Sequence, residues 1–168
     1  MKIQTLLGIG ILGLFLGSCS KSAYLAEDLT LPVIHAIQDN DLDDLECLMP
    51  GEDRVNQVYS GNLGNLGPNY YNKYTKEYRH LSMKTGLFTD LALIQDISKS
   101  NDLNWDDVQL GGVTKEDVSD SAIGYTRVIA NLRFPKGGDY KMSYNTIQYN
   151  GIWYLLDDIS FRRADKWQ

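Results

Sequence analysis

Two histidines, His35 and His80, carry the side chains that titrate closest to neutral pH. His35 lies beside an apolar stripe and His80 lies next to Leu81, so either could act as a general base. A lone histidine is more often a surface residue or a satisfied structural one. His80 therefore becomes a catalytic candidate only if a carboxylate faces it inside a pocket.

Tyrosine is abundant, and four of its 11 copies form a row at Tyr70, Tyr71, Tyr74 and Tyr78. The simpler interpretation is a helix that packs aromatic bulk into the core. The sharper one is a cleft lining for a sugar, a lipid or a peptide. We predict no catalytic residue, and we predict a pocket lined by five side chains: Tyr74, Tyr78, His80, Trp153 and Tyr154.

Three aspartates, Asp39, Asp41 and Asp43, have the spacing that begins a calcium loop. An EF-hand also needs Gly at its sixth position and Glu at its twelfth, and these positions hold Asp44 and Pro50. There is no HExxH or Cys-x-x-Cys sequence for zinc and no phosphate-binding glycine loop. We predict no metal and no cofactor. A formal net charge of −6 without a basic cluster disfavours nucleic acid as a partner.

Residues 1–18 have the composition of an export signal. The charged start Met1-Lys2 precedes an uncharged apolar run from Leu6 to Leu16, as in secretory signals. This run is shorter than the ~20 apolar residues of a spanning helix and is interrupted by glycines. We therefore predict a cleaved leader rather than a retained membrane helix.

The end of the leader, Leu16-Gly17-Ser18-Cys19, resembles the lipobox of bacterial lipoproteins. The resemblance implies that Cys19 carries lipid (a diacylglycerol and, as a rule, a further palmitate-type chain) and begins the mature protein. An ordinary cleaved signal is the alternative. Ser20 stands where many inner-membrane lipoproteins have aspartate, which implies a site on the outer membrane facing the periplasm. Display on the cell surface is a weaker alternative.

The chain has one further cysteine, Cys47. If Cys19 is acylated, no intramolecular disulfide can form. Cys47 lies in an apolar helical stretch, so we expect it to be a buried structural residue.

Helical spacing of apolar residues predicts three helical segments early in the mature chain: residues 29–38, residues 41–49 with Asp41 as N-cap, and residues 70–98 with a break at Gly86. The composition of residues 60–69 predicts a loop between the last two.

The period changes to two in the last third of the chain. Strands are predicted at residues 121–134, 140–149 and 152–161, with a further strand within residues 105–113. Asn150-Gly151 predicts a tight hairpin, and residues 135–139 predict the preceding loop. Helices first and an antiparallel meander last indicate an α+β fold, with N-terminal helices packed on a curved C-terminal antiparallel sheet.

Two segments resemble the NTF2-like (cystatin-like) superfamily. Residues 34–45 are similar to its opening helix, acidic turn and second helix, and residues 147–157 to its closing hairpin with Gly-x-Trp. The resemblance implies a cone-shaped pocket, but it includes no catalytic motif and leaves the middle of the domain unmatched.

These observations predict a signal peptide at residues 1–18, a lipidated cysteine and tether at 19–28, and a single domain at 29–168. We expect an envelope lipoprotein whose domain binds a small ligand or a protein partner without catalysis. One alternative is an isomerase or hydrolase of the same fold that uses a pocket carboxylate or histidine. Another is a structural subunit of an envelope complex.

Overall fold

The computed structural model describes residues 23–62, 76–118, 125–156 and 158–167. The predicted leader, Cys19 and Tyr74 lie outside these residues. Within them, four α-helices precede five strands: α1 (Thr30–Asp39), α2 (Leu42–Glu46), α3 (Glu52–Asn62), α4 (Lys76–Ser100), β1 (Gln109–Val118), β2 (Tyr125–Phe134), β3 (Gly138–Tyr149), β4 (Ile152–Leu155) and β5 (Ser160–Arg163).

The first two helices form where the sequence predicts them. The apolar stripe of α1 is buried, and the helix ends at Asn40, whose backbone is left-handed with φ 53°. The Asp41 carboxylate accepts hydrogen bonds from the backbone N–H groups of Asp43 and Asp44, at 2.9 and 3.1 Å. Asp41 is therefore the N-cap of α2, as its position indicates.

The third predicted helix differs in one respect, because α4 continues through Gly86 without a break. A glycine inside a helix costs up to about 1 kcal/mol relative to alanine. Buried residues on both sides of Gly86 offset this cost: Met83, Leu87, Leu91 and Ile94. The predicted start of this helix, at Tyr70, lies outside the described residues.

Helix α3 is absent from the prediction, and its last residues fall in the segment predicted as a loop at 60–69. Val55 and Val58 anchor it in the core. The other described residues of α3 are mostly polar and exposed, so its apolar positions are too sparse to give a helical period.

The strands form one antiparallel sheet that is curved and not closed, and the predicted α+β class is confirmed. The order is β1-β2-β3-β4. Strand β5 also pairs with β3, at residues 140–143, whereas β4 pairs with residues 146–149 of β3. The hairpin at Asn150-Gly151 is confirmed, with φ values of 53° and 78° at these residues. The predicted strand at 105–113 is wrong in its first part, because Trp105–Asp107 is a 3-10 turn that its N-cap Asn104 stabilises.

The described structure begins inside the segment predicted as a tether. Ala23 pairs with Trp153 at the edge of β4, and the Trp153 N–H donates to the Ala23 carbonyl at 2.9 Å. Ala26 and Leu29 are fully buried. Residues 23–28 are therefore part of the folded domain.

Cys47 differs from both expectations. It is half-buried rather than buried, and it is disulfide-bonded. The other cysteine of the chain, Cys19, lies outside the described residues. A thioether and a disulfide would use the same sulfur, so a bond between the two cysteines and lipidation of Cys19 exclude each other.

Candidate ligand-binding cleft

The predicted pocket residue His80 lies on α4 beside a carboxylate. Its Nε2 atom is 4.0 Å from Oε1 of Glu46, which is longer than a hydrogen bond. Lys84, one turn further along α4, takes the other oxygen of Glu46. This hydrogen bond raises the pKa of Lys84, so Lys84 stays a cation at neutral pH and does not act as a base.

The other predicted pocket residues do not converge on His80. Tyr154 accepts a hydrogen bond from Arg54 at 3.4 Å, whereas Trp153 pairs with Ala23. Both rings are half-buried and pack against the core. Tyr78 belongs to α4, but its side chain, like Tyr74, lies outside what the structure describes.

Aromatic side chains pack together where the turn at Trp105 meets the sheet. Trp105 meets Phe134 edge-on at 5.2 Å between ring centroids, and Phe161 stacks on Tyr140 at 4.8 Å. The indole N–H of Trp105 donates to the buried Ser98 hydroxyl at 2.8 Å. This part of the interior is therefore packed core.

One buried tyrosine, Tyr144, faces this interior with its hydroxyl 2.8 Å from that of Thr30. Burial raises the pKa of Tyr144, and the bond with Thr30 opposes the rise only in part. The phenol is thus neutral throughout the physiological range and is not a candidate base.

The opposite side of the sheet is polar. Residues paired across neighbouring strands share a face, so the register places six side chains together on what we call the outer face: Arg127, Ser143, Asn145, Lys141, Ser160 and Arg162. The residues between them, such as Val128, Tyr144 and Phe161, point into the core.

A surface cleft of about 200 Å³ opens on the outer face. Its lining is mostly polar and consists of six residues: Arg127, Ser143, Asp158, Ser160, Arg162 and Trp167. Ser143 is 6 % exposed and the adjacent Asn145 is 7 % exposed. Ser143 lines the cleft, whereas Asn145 lies beside it and is bonded to Arg127 and Asp158.

Arg127 is fixed in place by three hydrogen bonds. Its Nε atom donates to Asn145 at 3.3 Å, one terminal nitrogen to Glu116 at 3.4 Å, and the other to the Tyr125 hydroxyl at 3.2 Å. The Asn145 amide in turn donates to Asp158 at 3.5 Å. This chain of contacts links β2, β3 and the segment before β5.

The segment before β5 is held by α4. Asp158 has φ 59°, a left-handed backbone that is uncommon for a residue with a side chain. The next N–H group, that of Ile159, donates to the Asp90 carboxylate at 2.8 Å. Burial raises the pKa of Asp90 above its usual 3.8; the bond from Ile159 opposes the rise and the nearby Asp158 adds to it.

This raised pKa predicts a pH-dependent stability. The folded protein holds the Asp90 proton more tightly than the unfolded chain, so this group lowers the free energy of unfolding as pH rises from the unfolded value through the raised one. Asp90→Asn keeps an acceptor for Ile159 and removes the charge. We expect the variant to gain stability relative to wild type as pH rises above about 4, the ordinary pKa of an aspartate, measured by urea unfolding. Asp96→Asn, at an exposed site on α4, is the control. Parallel curves for wild type and Asp90→Asn would contradict the prediction.

A second cleft, of about 100 Å³, lies beside the turn between β2 and β3. Two of its polar lining residues bond each other, because the Asn104 amide donates to Asp107 at 2.8 Å. Asn104 also accepts from the Asp106 N–H. These groups serve the 3-10 turn, which makes this cleft a weaker candidate.

No group of three potential metal ligands comes together in the described part of the chain. Asp39 is the last residue of α1 and Asp43 lies in the first turn of α2. The Asp41 carboxylate caps α2 through its hydrogen bonds to the N–H groups of Asp43 and Asp44.

The cleft residues are absent from the predicted pocket lining. The alternation of β2 does place Arg127 on the polar side of its strand. No local sequence pattern places Arg162, Ser160 or Trp167 near Arg127. Their approach depends on the pairing of β5 with β3, which is separate from the β3–β4 hairpin.

No family model matches this chain, and no curated protein or solved structure is significantly similar to it.

Proposed function

We propose that this chain is a bacterial envelope lipoprotein, anchored through lipid on Cys19, whose domain binds a ligand without catalysis. The lipobox-like sequence supports the anchor, and the leader supports export. An outer-membrane location facing the periplasm is part of the proposal, because Ser20 follows the cysteine. The order of helices before an antiparallel meander supports the NTF2-like resemblance.

The start of the folded domain is compatible with a position close to the bilayer. Ala23, the first described residue, is four positions after Cys19, a span of at most about 14 Å. The next residues, Tyr24 and Leu25, are 72 % and 51 % exposed. Tyrosine is favoured at membrane–water interfaces. None of the described helices has the length and apolar character needed to cross a bilayer.

The disulfide of Cys47 provides an alternative to the lipid anchor, and this alternative has the same cellular location. Disulfides persist in oxidising compartments such as the periplasm, so a bond to Cys19 and a lipid on Cys19 both require export. They differ in whether the protein is attached to a membrane.

The cleft on the outer face is the observation that carries ligand binding. It places two arginines, one aspartate, two hydroxyl groups and an indole around one opening, while aromatic rings fill the space beside the turn at Trp105. We therefore place the ligand in this cleft, outside the sheet.

Blocking the cleft tests this proposal. Ser160 is half-exposed and lines the opening, so Ser160→Trp fills it. Arg133→Trp is the matched control, because Arg133 belongs to the outer face of β2 but is absent from the cleft lining. Small molecules extracted from the producing cells are dialysed against each protein and compared by mass spectrometry.

We expect wild type and Arg133→Trp to enrich the same compound and Ser160→Trp not to enrich it. The mass of this compound should be unchanged after dialysis. Equal enrichment by all three proteins, or none by wild type, would overturn binding at the cleft.

Catalysis by His80 is the second candidate, favoured by the approach of Glu46. A compound that returns from the dialysis with an altered mass, and does so with Ser160→Trp but not with His80→Gln, would support it.

A further inference from the structure

The cleft is a locally cationic region of an acidic protein. The whole chain has a formal charge of −6, yet Arg127 and Arg162 line the cleft and Lys141 is paired with Arg162 across the strands. Asp158 is the acidic residue of the lining, and Glu116 forms an ion pair with Arg127 at 3.4 Å, which leaves one positive charge in excess among these five side chains. A concave region with an excess of one charge concentrates ligands of the opposite charge.

The two arginines differ in their freedom. Arg127 uses three of its five N–H groups on neighbouring side chains. The side chain of Arg162 is exposed and makes no hydrogen bond or ion pair with any residue that the structure describes. The guanidinium of Arg162 is therefore available for a ligand, while that of Arg127 is held in a fixed orientation.

Neutral donors accompany these cations. Ser143 and Ser160 face each other across β3 and β5, so two hydroxyl groups lie at the same opening. A guanidinium binds the two oxygens of a carboxylate or phosphate through parallel hydrogen bonds, and hydroxyl groups satisfy the remaining lone pairs. Trp167 adds an aromatic surface on the same lining.

We propose that the cleft binds an oxyanion, a carboxylate or phosphate group on a small molecule with an apolar or aromatic part, with Arg162 as the main charged contact. This inference rests on the proposed ligand-binding function and specifies its chemistry. Arg127 positions the anion, Ser143 and Ser160 donate to it, and Trp167 contacts the apolar part.

Matched aromatic probes test the charge requirement. Benzoate and phenyl phosphate carry an oxyanion, whereas benzamide has nearly the shape of benzoate and no charge. Binding is followed through the indole ¹H–¹⁵N signals, with that of Trp167 assigned from Trp167→Phe. We expect benzoate or phenyl phosphate to shift the Trp167 signal and benzamide to leave it in place. The tighter of the two anions identifies the preferred oxyanion.

Arg162→Ala is expected to weaken binding of the anionic probe about tenfold or more, the loss of one hydrogen-bonded charge pair. Arg133→Ala is the control: it removes an outer-face arginine that pairs with Asp139 instead. Because the Arg162 guanidinium has no partner among the described residues, truncating it should leave the free energy of unfolding nearly unchanged. Higher salt should weaken binding in wild type.

Equal shifts with benzoate and benzamide, or equal weakening by Arg162→Ala and Arg133→Ala, would overturn the oxyanion assignment. Enrichment of a neutral compound that Ser160→Trp abolishes would leave the proposed function intact and reject this inference alone. Absence of any binding that depends on Ser160 would reject the proposed function itself.

Discussion

Cys19→Ser is expected to move this protein from the membrane fraction to the soluble envelope fraction. Each buried CH₂ group of an acyl chain contributes about 0.8 kcal/mol, and two or three chains on one residue hold a protein firmly where one chain does not. The described helices supply no alternative span. The measurements are fractionation of the cells, incorporation of labelled palmitate, and the mass of the N-terminal peptide.

Cys47→Ser is the matched control, because it leaves the lipobox-like sequence intact. We expect it to remain in the membrane fraction and to retain the label. A wild-type protein without acyl mass, from which Cys19 and Cys47 are recovered as one cross-linked peptide before reduction, would contradict lipidation. The mature protein would then contain a disulfide between Cys19 and Cys47 in place of the lipid.

Local signals in the sequence were sufficient for much of the fold. Asn150-Gly151 predicts its hairpin because both residues must adopt positive φ, which few other residues do at low cost. The alternation of β2 predicts its buried side correctly at Val128, Leu132 and Phe134. In these segments the backbone preference and the burial pattern agree.

The errors in the predicted fold concern elements that are stabilised mainly by tertiary contacts. Gly86 has the local preference of a helix breaker, and the burial of its neighbours on α4 overrides that preference. Helix α3 contributes few apolar residues to the core, so periodicity does not reveal it. The 3-10 turn at Trp105 has a local cap in Asn104, but it is also held by the bond from the Trp105 indole to Ser98 on α4, which no local pattern predicts.

The candidate cleft was beyond prediction for a related reason. His80 and a carboxylate could be anticipated as a pair, and Glu46 does lie near His80, but 4.0 Å apart and with Lys84 bound to the same carboxylate. The cleft brings together residues from β2, β3 and the last ten described positions. Which of them meet depends on strand register, and a shift of one residue would turn Arg127 and Arg162 to the other face.

The second large effect is expected at Phe161, in the middle of β5. Its ring is 3 % exposed, stacks on Tyr140 and lies 5.3 Å from the ring of Trp105. Truncating a buried Phe to Ala removes the burial energy and leaves a cavity, at a cost of about 3–5 kcal/mol. We expect Phe161→Ala to lower the free energy of unfolding by this amount in urea denaturation, a large part of the stability of a domain of this size.

Phe88→Ala is the control, since Phe88 is 58 % exposed on α4 and should change stability by no more than about 0.5 kcal/mol. Equal losses at the two positions would contradict a core role for Phe161. Ser160 and Arg162 flank Phe161 on β5 and face the cleft, so the same substitution should weaken anion binding by loosening the strand that carries them. Arg162→Ala should weaken binding without loss of stability. This contrast separates the face of β5 that holds the fold from the face that meets the ligand.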